Sequence, residues 1–218
     1  VHYLSMEMED SESITEVAQQ FDSLDLLINN IGRSQIGIIE ETSTESIQNI
    51  FEVNFFGHVR LIQAFIPLFK KQGSGKILNI TSMAGTSPMP FSPFYAATKA
   101  AFDAFTTSIH HELLPYEIQV CAIAPFYVQT SIPQVPDYNE DSPYLDHLKQ
   151  VKATRDDNFE NAILPDEAAK QIMRILKQKN PPIHSAIGHN ASLMSFLLKH
   201  LPQKWLAKMI RKRAGLDY

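Results

Sequence analysis

The chain has 218 residues and a formal net charge of −5, which suits one fairly large domain and argues against nucleic-acid binding by the chain as a whole. Its residues are 44% hydrophobic, with 8 Gly and 13 Pro, so the composition excludes wholesale disorder and a collagen-like chain. A single Cys excludes an internal disulfide framework and a Cys-rich zinc site, and it fits a reducing, cytoplasmic compartment.

Strand and helix patterns alternate along the chain. In chain order the sequence predicts a strand at 1–8, a helix at 11–21, a strand at 24–28, a helix at 44–70, a strand at 76–81, a helix at 94–114, a strand at 118–124, a helix at 165–177 and a strand at 183–187. The stretch 128–164, which is rich in Pro and acids, is predicted to be irregular, and the tail from residue 190 is predicted to be helical. No apolar run reaches the roughly 18 residues that a membrane span needs, and no signal peptide is visible.

The predicted strands are mostly short and apolar, and helices separate them. This pattern is typical of a parallel sheet that is covered on both faces. We therefore predict an α/β fold with a doubly wound, Rossmann-like parallel sheet. Because no internal repeat or low-complexity linker is visible, we expect residues 1–218 to form a single domain, with 190–218 as a helical tail.

The tail is strongly basic. Six Lys or Arg and no acid lie between Lys199 and Arg213, so the rest of the chain is acidic. Within 203–213 the apolar and basic residues fall on separate helix faces. The apolar face holds Trp205, Leu206, Met209 and Ile210, and the basic face holds Lys204, Lys208, Arg211 and Lys212. Such a helix either packs on the protein with a solvated basic side or makes peripheral contact with a membrane, and both interpretations stay open.

Small, amide or hydroxyl residues follow three of the predicted strands. They occur in segments 29–32 (Asn-Asn-Ile-Gly), 81–85 (Thr-Ser-Met-Ala-Gly) and 125–130 (Pro-Phe-Tyr-Val-Gln-Thr). In an open parallel sheet ligands bind beyond the carboxyl ends of the strands, so we expect the three segments to meet at one edge. Turn chemistry alone explains any one of them, but it explains all three together less well.

Tyr95 and Lys99 are four residues apart on a predicted helix, so they lie on one face about one turn apart. A free tyrosine has a pKa of about 10, and a nearby ammonium favours the charged form, so we expect Lys99 to lower the pKa of Tyr95. A tyrosine tuned in this way can donate or accept a proton at an alcohol or carbonyl oxygen. The pair alone is weak evidence, but Ser82 lies on the loop that leads into the same helix.

In this order the motifs resemble those of the short-chain dehydrogenase/reductase family, in its steroid- and retinol-dehydrogenase-like branch. The matching positions are the Asn29-Asn30-Ile31-Gly32 turn, Asn54, Ser82, the Tyr95 and Lys99 pair, the segment from Pro125 to Thr130, and Glu7-Met8 where the family has Asp-Val. The resemblance covers essentially the whole chain.

The resemblance implies an NAD(P)-dependent oxidoreductase that interconverts a lipophilic secondary alcohol and ketone by hydride transfer. Tyr95 would be the general acid/base, Lys99 would bind the nicotinamide ribose, and Ser82 would hold the substrate oxygen. Asn54 would hold a water of the proton relay. The implied cofactor-binding residues are Glu7, Asn30, Gly32, Tyr95, Lys99, Pro125 and Thr130. The branch slightly favours NADP over NAD.

The sequence departs from the family pattern. Ile31 replaces Ala, Glu7 replaces Asp, and Phe126 replaces the Gly after Pro125, where a side chain must turn away or narrow the pocket. No Gly-rich phosphate-binding turn occurs, since Gly32 is the first glycine. We therefore expect an N-terminally truncated family member that lacks the first strand–helix units, leaves the strand at 1–8 without its neighbour and binds cofactor poorly.

Apolar residues near the expected cleft favour a lipophilic substrate such as a steroid, a retinoid or a long-chain lipid. They are Met83, Met89, Phe91, Phe94 and Phe126. The resemblance also implies a homodimer, which small residues along the Tyr95 helix would accommodate. We expect no nucleic-acid partner and no metal site, since His110 and His111 point to different helix faces.

Two other functions stay open. One is a catalytically inactive interaction or dimerisation module that keeps the fold. The other is a nucleotide-sugar epimerase or dehydratase, which also uses a Tyr-x-x-x-Lys pair, although the Asn-Asn-x-Gly turn and the short substrate region argue against it.

Overall fold

A parallel sheet of four strands lies at the centre of the fold in the computed structural model, which describes residues 1–216. The strands of the described chain are β1 (Leu26–Asn29), β2 (Ser34–Gly37), β3 (Gly75–Ile80), β4 (Ile118–Pro125), β5 (Gln134–Asp137) and β6 (His184–Ile187). The central sheet has the order β1–β3–β4–β6, with Leu27 opposite Ile77 and Ile77 opposite Val120. Strands β2 and β5 pair in parallel in a separate small sheet.

Helices connect the strands. They are α1 (Ser11–Ala18), α2 (Thr44–Phe51), α3 (Gly57–Gln72), α4 (Pro93–Leu113), α5 (Leu145–Glu160), α6 (Pro165–Leu176), α7 (Ala191–His200) and α8 (Gln203–Arg213). A π-helical segment, Glu52–Phe56, joins α2 to α3 without a break. The helix predicted for 44–70 is thus one continuous helical stretch, whose backbone hydrogen bonds change to the π-helical i→i+5 pattern at residues 52–56.

Successive residues of the central strands point to opposite faces, and helices cover both faces. Ile77 packs in a core cluster with residues of α1, α3 and α4, while the next residue, Leu78, packs in a second cluster with Ala168 and Leu176 of α6. An apolar strand that is buried on both sides has no polar face, which explains why these strands are almost continuously apolar. The prediction of an α/β fold with a covered parallel sheet is confirmed.

Residues 1–8 do not form the predicted strand. Residues 1–7 have no regular secondary structure, and Met8 and Glu9 lie in a turn. The Met8 carbonyl accepts a hydrogen bond from Arg60 Nη2, and a Cβ placed on Gly57 would lie 2.7 Å from that carbonyl oxygen. Met8 is therefore held against α3 by the Arg60 hydrogen bond and by close packing on Gly57. β1 is the edge strand of the sheet within 1–216, and residues 1–8 do not pair with its free edge.

The stretch 128–164 is not irregular, because it contains β5 and α5. The buried residues of α5 are Leu148, Val151 and Arg155, which share one face of the helix. Acids and amides dominate the rest of this helix, and they obscured its apolar spacing.

The tail is helical, as predicted, but it consists of two helices that separate at Leu201 and Pro202. After α8 the chain returns to the body of the protein, where Ala214 and Leu216 pack against Val151 of α5. None of the helices within residues 1–216 is both long and apolar enough to cross a bilayer.

Candidate active site

A cavity of about 710 Å³ lies at the carboxyl edge of the central sheet. The segments that follow β1, β3 and β4 all contribute to its lining, which confirms that they meet at one edge. Of the predicted site residues, those that line it are Asn30, Gly32, Ser82, Tyr95, Lys99, Pro125 and Thr130.

The loop after β3 and the start of α4 bring Ser82 and Tyr95 together. Ser82 caps a short 3₁₀ turn, with its Oγ accepting a hydrogen bond from the Ala84 N–H at 3.1 Å. The turn ends at Gly85, where a Cβ would lie 2.9 Å from the Ala100 nitrogen, so only glycine lets this loop pack closely on α4. Pro93 begins α4, and Tyr95 therefore lies in its first turn.

Lys99 follows one turn later and is almost completely buried, with 4% of its surface exposed. Its Nζ donates a hydrogen bond of 3.0 Å to the carbonyl oxygen of Ile80, the last residue of β3, and lies 6.0 Å from the centre of the Tyr95 ring. Burial lowers the pKa of Lys99 to about 8, because a charged ammonium is costly away from water. The described ion pairs do not include Lys99, so its charge faces the cavity without a carboxylate partner.

The pKa of Tyr95 is raised, which is opposite to the predicted direction. Burial raises it most, while a hydrogen bond with the Ser82 side chain and the charge of Arg155 lower it. The predicted direction of the shift is thus wrong, and the charge that opposes the effect of burial is that of Arg155. A raised pKa keeps the Tyr95 hydroxyl protonated at neutral pH, which suits a proton donor.

Asn54 lies in the π-helical segment, is fully buried and stands next to the cavity rather than in its lining. Its Oδ1 accepts a hydrogen bond from the Arg33 N–H, and its Nδ2 donates to the Arg33 carbonyl and to Thr98 Oγ1. The amide therefore fixes the backbone just after Gly32 against α4. Its role in a water relay stays a prediction.

The turn after β1 packs closely on an amide and an ammonium at the wall of the cavity. A Cβ on Gly32 would lie 3.3 Å from Asn54 Oδ1 and 3.6 Å from Lys99 Nζ, so the glycine allows this close approach of the backbone. Asn30, Pro125 and Thr130 line the same cavity. Glu7 does not line the cavity. It is exposed, and its backbone N–H donates a hydrogen bond to Ser13 Oγ.

Phe126 narrows the cavity instead of turning away from it. Its ring meets the Tyr127 ring edge-on at 5.1 Å and is covered by the Arg213 guanidinium at 4.4 Å. Gly188 makes room for it, since a Cβ there would lie 3.1 Å from Phe126 Cβ. The substitution of Phe for Gly after Pro125 thus adds an aromatic wall to the cavity.

Three further residues of the site were missed from sequence. His58 is buried, stacks on Phe102 and bonds the Ile31 carbonyl at 2.8 Å, and burial lowers its pKa to about 4, so it is neutral. Arg155 and Arg213 line the cavity from α5 and α8. The sequence contained one indication of Arg155: it continues the helical spacing of Leu148 and Val151, and a charged residue is unusual on the buried face of a helix.

The burial of Lys99 predicts a specific pH dependence of stability. Because its pKa is lowered in the folded state, the native protein binds fewer protons than the unfolded chain between about pH 8 and pH 10.5, and the free energy of unfolding rises through that window. Lys99→Met removes this contribution. The stability of the variant relative to wild type should therefore fall by about 2 kcal/mol from about pH 7 to about pH 9.5 in urea titrations.

The exposed Lys71 provides the control. Lys71→Met should keep a constant difference from wild type over the same range. A constant difference for Lys99→Met as well would show that Lys99 is not held in a desolvated, destabilised state.

Comparison with known proteins places the chain in a family. The family model described as short chain dehydrogenase matches residues 1–140. The chain is 29% identical over 215 residues to a Helicobacter pylori protein named "Probable short-chain type dehydrogenase/reductase VdlC", covering 95% of this chain and 79% of that one. It is 29% identical over 198 residues to the 3-ketodihydrosphingosine reductase of Bacteroides thetaiotaomicron, covering 86% and 73%.

Among solved structures, a short-chain dehydrogenase from Streptomyces avermitilis superposes with a TM-score of 0.78 at 28% identity, covering 97% of this chain and 79% of that one. With Ser82, Tyr95 and Lys99 in one cavity at the sheet edge, the chain belongs to the short-chain dehydrogenase/reductase family of NAD(P)-dependent oxidoreductases that act on CH–OH groups.

Proposed function

We propose that the protein reduces a lipophilic ketone, or oxidises the corresponding secondary alcohol, in this cavity, with Tyr95 transferring the proton. The observation that carries this proposal is the presence of Ser82, Tyr95 and Lys99 in the lining of one largely apolar cavity. In the reducing direction the Tyr95 hydroxyl donates its proton to the substrate oxygen, and the Ser82 hydroxyl donates a hydrogen bond to the same oxygen. The nicotinamide cofactor supplies the hydride when it is bound.

Lys99 has a distinct task in this proposal. Once Tyr95 has given up its proton, the phenolate is left in a desolvated place where burial disfavours it. The ammonium of Lys99, held beside the ring by the Ile80 carbonyl, then stabilises the negative charge as it develops. Its charge thus acts on the transition state more than on the resting tyrosine.

The lining of the cavity supports a lipophilic substrate. Large apolar side chains reach it from four separate segments of the chain. They are Met83, Met89, Phe126, Ile132, Phe159 and Ile172. One similar protein is named as a reductase of 3-ketodihydrosphingosine, and the long alkyl chain of a lipophilic ketone would fit such a lining.

Tyr95→Phe tests the proposal. Loss of the hydroxyl should lower kcat/KM for ketone reduction by about 10²–10⁴-fold, the contribution of a general acid, and should leave cofactor affinity nearly unchanged. Consumption of reduced nicotinamide with a panel of long-chain and cyclic ketones measures this. Tyr116→Phe, a change at an exposed tyrosine outside the cavity lining, should keep full activity.

Two results would count against the proposal. Unchanged turnover in Tyr95→Phe would remove this residue from the reaction. Absence of turnover across the whole panel, with bound cofactor demonstrated, would favour an inactive interaction module.

Cofactor binding by these 218 residues is proposed to be weak, with NADP(H) favoured over NAD(H). Asn30, Lys99 and Thr130 line the cavity and suit the nicotinamide side, but the sequence contains no Gly-rich turn that would hold the pyrophosphate at a helix N-terminus. Calorimetric titration should give dissociation constants weaker than the micromolar range for both dinucleotides. A micromolar constant would show that other residues of the chain hold the phosphates.

A second copy of the chain is the proposed partner for α4. Ala97, Ala100 and Ala104 are exposed along one face of this helix, and the exposed ring of Phe56 lies on the neighbouring helical stretch. Small residues let two helices approach closely. Light scattering should therefore give the mass of a dimer for wild type and that of a monomer for Ala104→Glu; a monomeric wild type would refute this.

Peripheral membrane contact is proposed for the tail, through a smaller surface than the sequence suggested. Leu206, Met209 and Ile210 are partly buried, whereas Trp205 is 68% exposed. Leu193 and Phe196 of α7 are also exposed, and the exposed Lys204, Lys208 and Lys212 add positive charge. An exposed tryptophan beside lysines is suited to the surface of an anionic bilayer.

Co-sedimentation with vesicles tests this contact. Binding to vesicles that contain phosphatidylserine should exceed binding to neutral phosphatidylcholine vesicles, and Trp205→Ala should reduce it several-fold. Equal binding by wild type and Trp205→Ala would contradict a role for the tail.

A further inference from the structure

Arg155 is a buried cation that has no ion-pair partner among the described residues. It lies on α5, is only 8% exposed and lines the cavity that contains Ser82 and Tyr95. Its Nε and Nη2 atoms are buried and make no hydrogen bond, and no ion pair within residues 1–216 includes it. Buried guanidinium groups are normally paired, because a charge left unpaired away from water costs several kcal/mol, as an order of magnitude.

The rest of the cavity does not supply the missing negative charge. Arg213 reaches the same cavity from α8, where it covers the Phe126 and Tyr127 rings at 4.4 and 5.4 Å. Lys99 is the third cation of the lining, and none of the described lining residues is Asp or Glu. The charge of the neighbouring Asp156 acts on Arg155, but this carboxylate pairs with Lys152 at 2.7 Å. The cavity therefore combines apolar walls with cations that form no ion pair in the described part of the chain.

The guanidinium of Arg155 also has a fixed donor geometry. Its Nε–H and Nη2–H lie along one edge of the planar group and point in parallel, which matches the two oxygens of a carboxylate or of a phosphate. Both atoms are buried in the free protein, so an oxyanion in the cavity would reach this edge after the side chain turns toward it. A neutral ketone or alcohol offers one acceptor oxygen and cannot satisfy both donors at full strength. The unpaired edge thus favours an oxyanion over any neutral polar group.

We propose that Arg155, assisted by Arg213, binds an oxyanion head group of the substrate, so that the preferred substrates are lipophilic acids that carry a carboxylate or a phosphate. This inference rests on the proposed function in one respect, namely that the substrate occupies this cavity. The apolar walls hold the body of the substrate, Tyr95 and Ser82 face its reacting oxygen, and Arg155 fixes its charged end. The charge also gives orientation, since apolar walls alone do not fix which end of a chain enters first.

Binding can be measured without turnover or cofactor. Calorimetric titration of the full 218-residue protein with decanoate, decyl phosphate and decan-1-ol compares three ligands of similar chain length. Wild type should bind at least one of the two anions roughly 10–100-fold more tightly than decan-1-ol, the range expected for a charge-assisted pair. The stronger of the two anions identifies the head group as carboxylate or phosphate.

Arg155→Met should remove this preference and leave the affinity for decan-1-ol within about twofold, because the methionine keeps the apolar stem but not the charge. Arg174→Met, which removes a charge from an exposed arginine of α6 outside the lining, should retain the preference. Equal affinities for anions and decan-1-ol in wild type, or an unchanged preference in Arg155→Met, would overturn the proposal. The proposal would also be overturned if Arg155→Met lost affinity for NADP(H) but still bound the anions. That result would show that Arg155 binds the cofactor.

Thermal unfolding separates a binding role from a structural one. If Arg155 is unpaired in the free protein, Arg155→Met should unfold at a Tm higher by roughly 2–4 °C, as expected for about 1 kcal/mol in a chain of this size. A lower Tm would show that the protein itself supplies a partner for Arg155, which overturns the proposal. These outcomes do not depend on catalysis, so a failure of the Tyr95 experiment with anion binding intact would refute the proposed reaction and leave the anion site standing.

Discussion

The hydrogen bond from the Lys99 ammonium to the Ile80 carbonyl ties helix α4 to the end of strand β3, and the site depends on that connection. It sets the rotation of α4, and with it the position of Tyr95 one turn earlier. It also holds a cation in an almost completely buried position, which lowers the pKa of Lys99 to about 8. The protein thus accepts a local loss of stability at the point where charge must be stabilised during proton transfer.

A second consequence is the character of the cavity as a whole. Tyr95 sits among cations and aromatic rings, and burial raises its pKa, so its proton is retained at rest. The same surroundings favour a negative charge once one arrives or forms. Under the proposed reaction, this cationic cavity with apolar walls stabilises the phenolate that forms at Tyr95, and under the proposed anion site it attracts an amphiphilic anion as substrate.

Much of this site could be predicted from the chain. Segments 29–32, 81–85 and 125–130 each follow an apolar strand, and parallel pairing brings their ends to one edge, as expected. The predictions failed where a segment depends on distant partners. Residues 1–8 have strand-like alternation but pair with no strand in 1–216, and α5 has a polar composition because only one narrow face of it is buried.

The sequence by itself determined the sheet and the Ser82, Tyr95 and Lys99 set, because strand periodicity and the four-residue spacing on a helix are local properties of the chain. Only the tertiary structure decided the electrostatics of the site. Arg155 and Arg213 are more than 50 residues apart in the sequence. Arg155 reaches the cavity because α5 lies beside it, and Arg213 reaches it because Ala214 and Leu216, which follow α8, pack on α5. The pKa of Tyr95 depends on that burial and on charges remote in sequence, which no local pattern encodes.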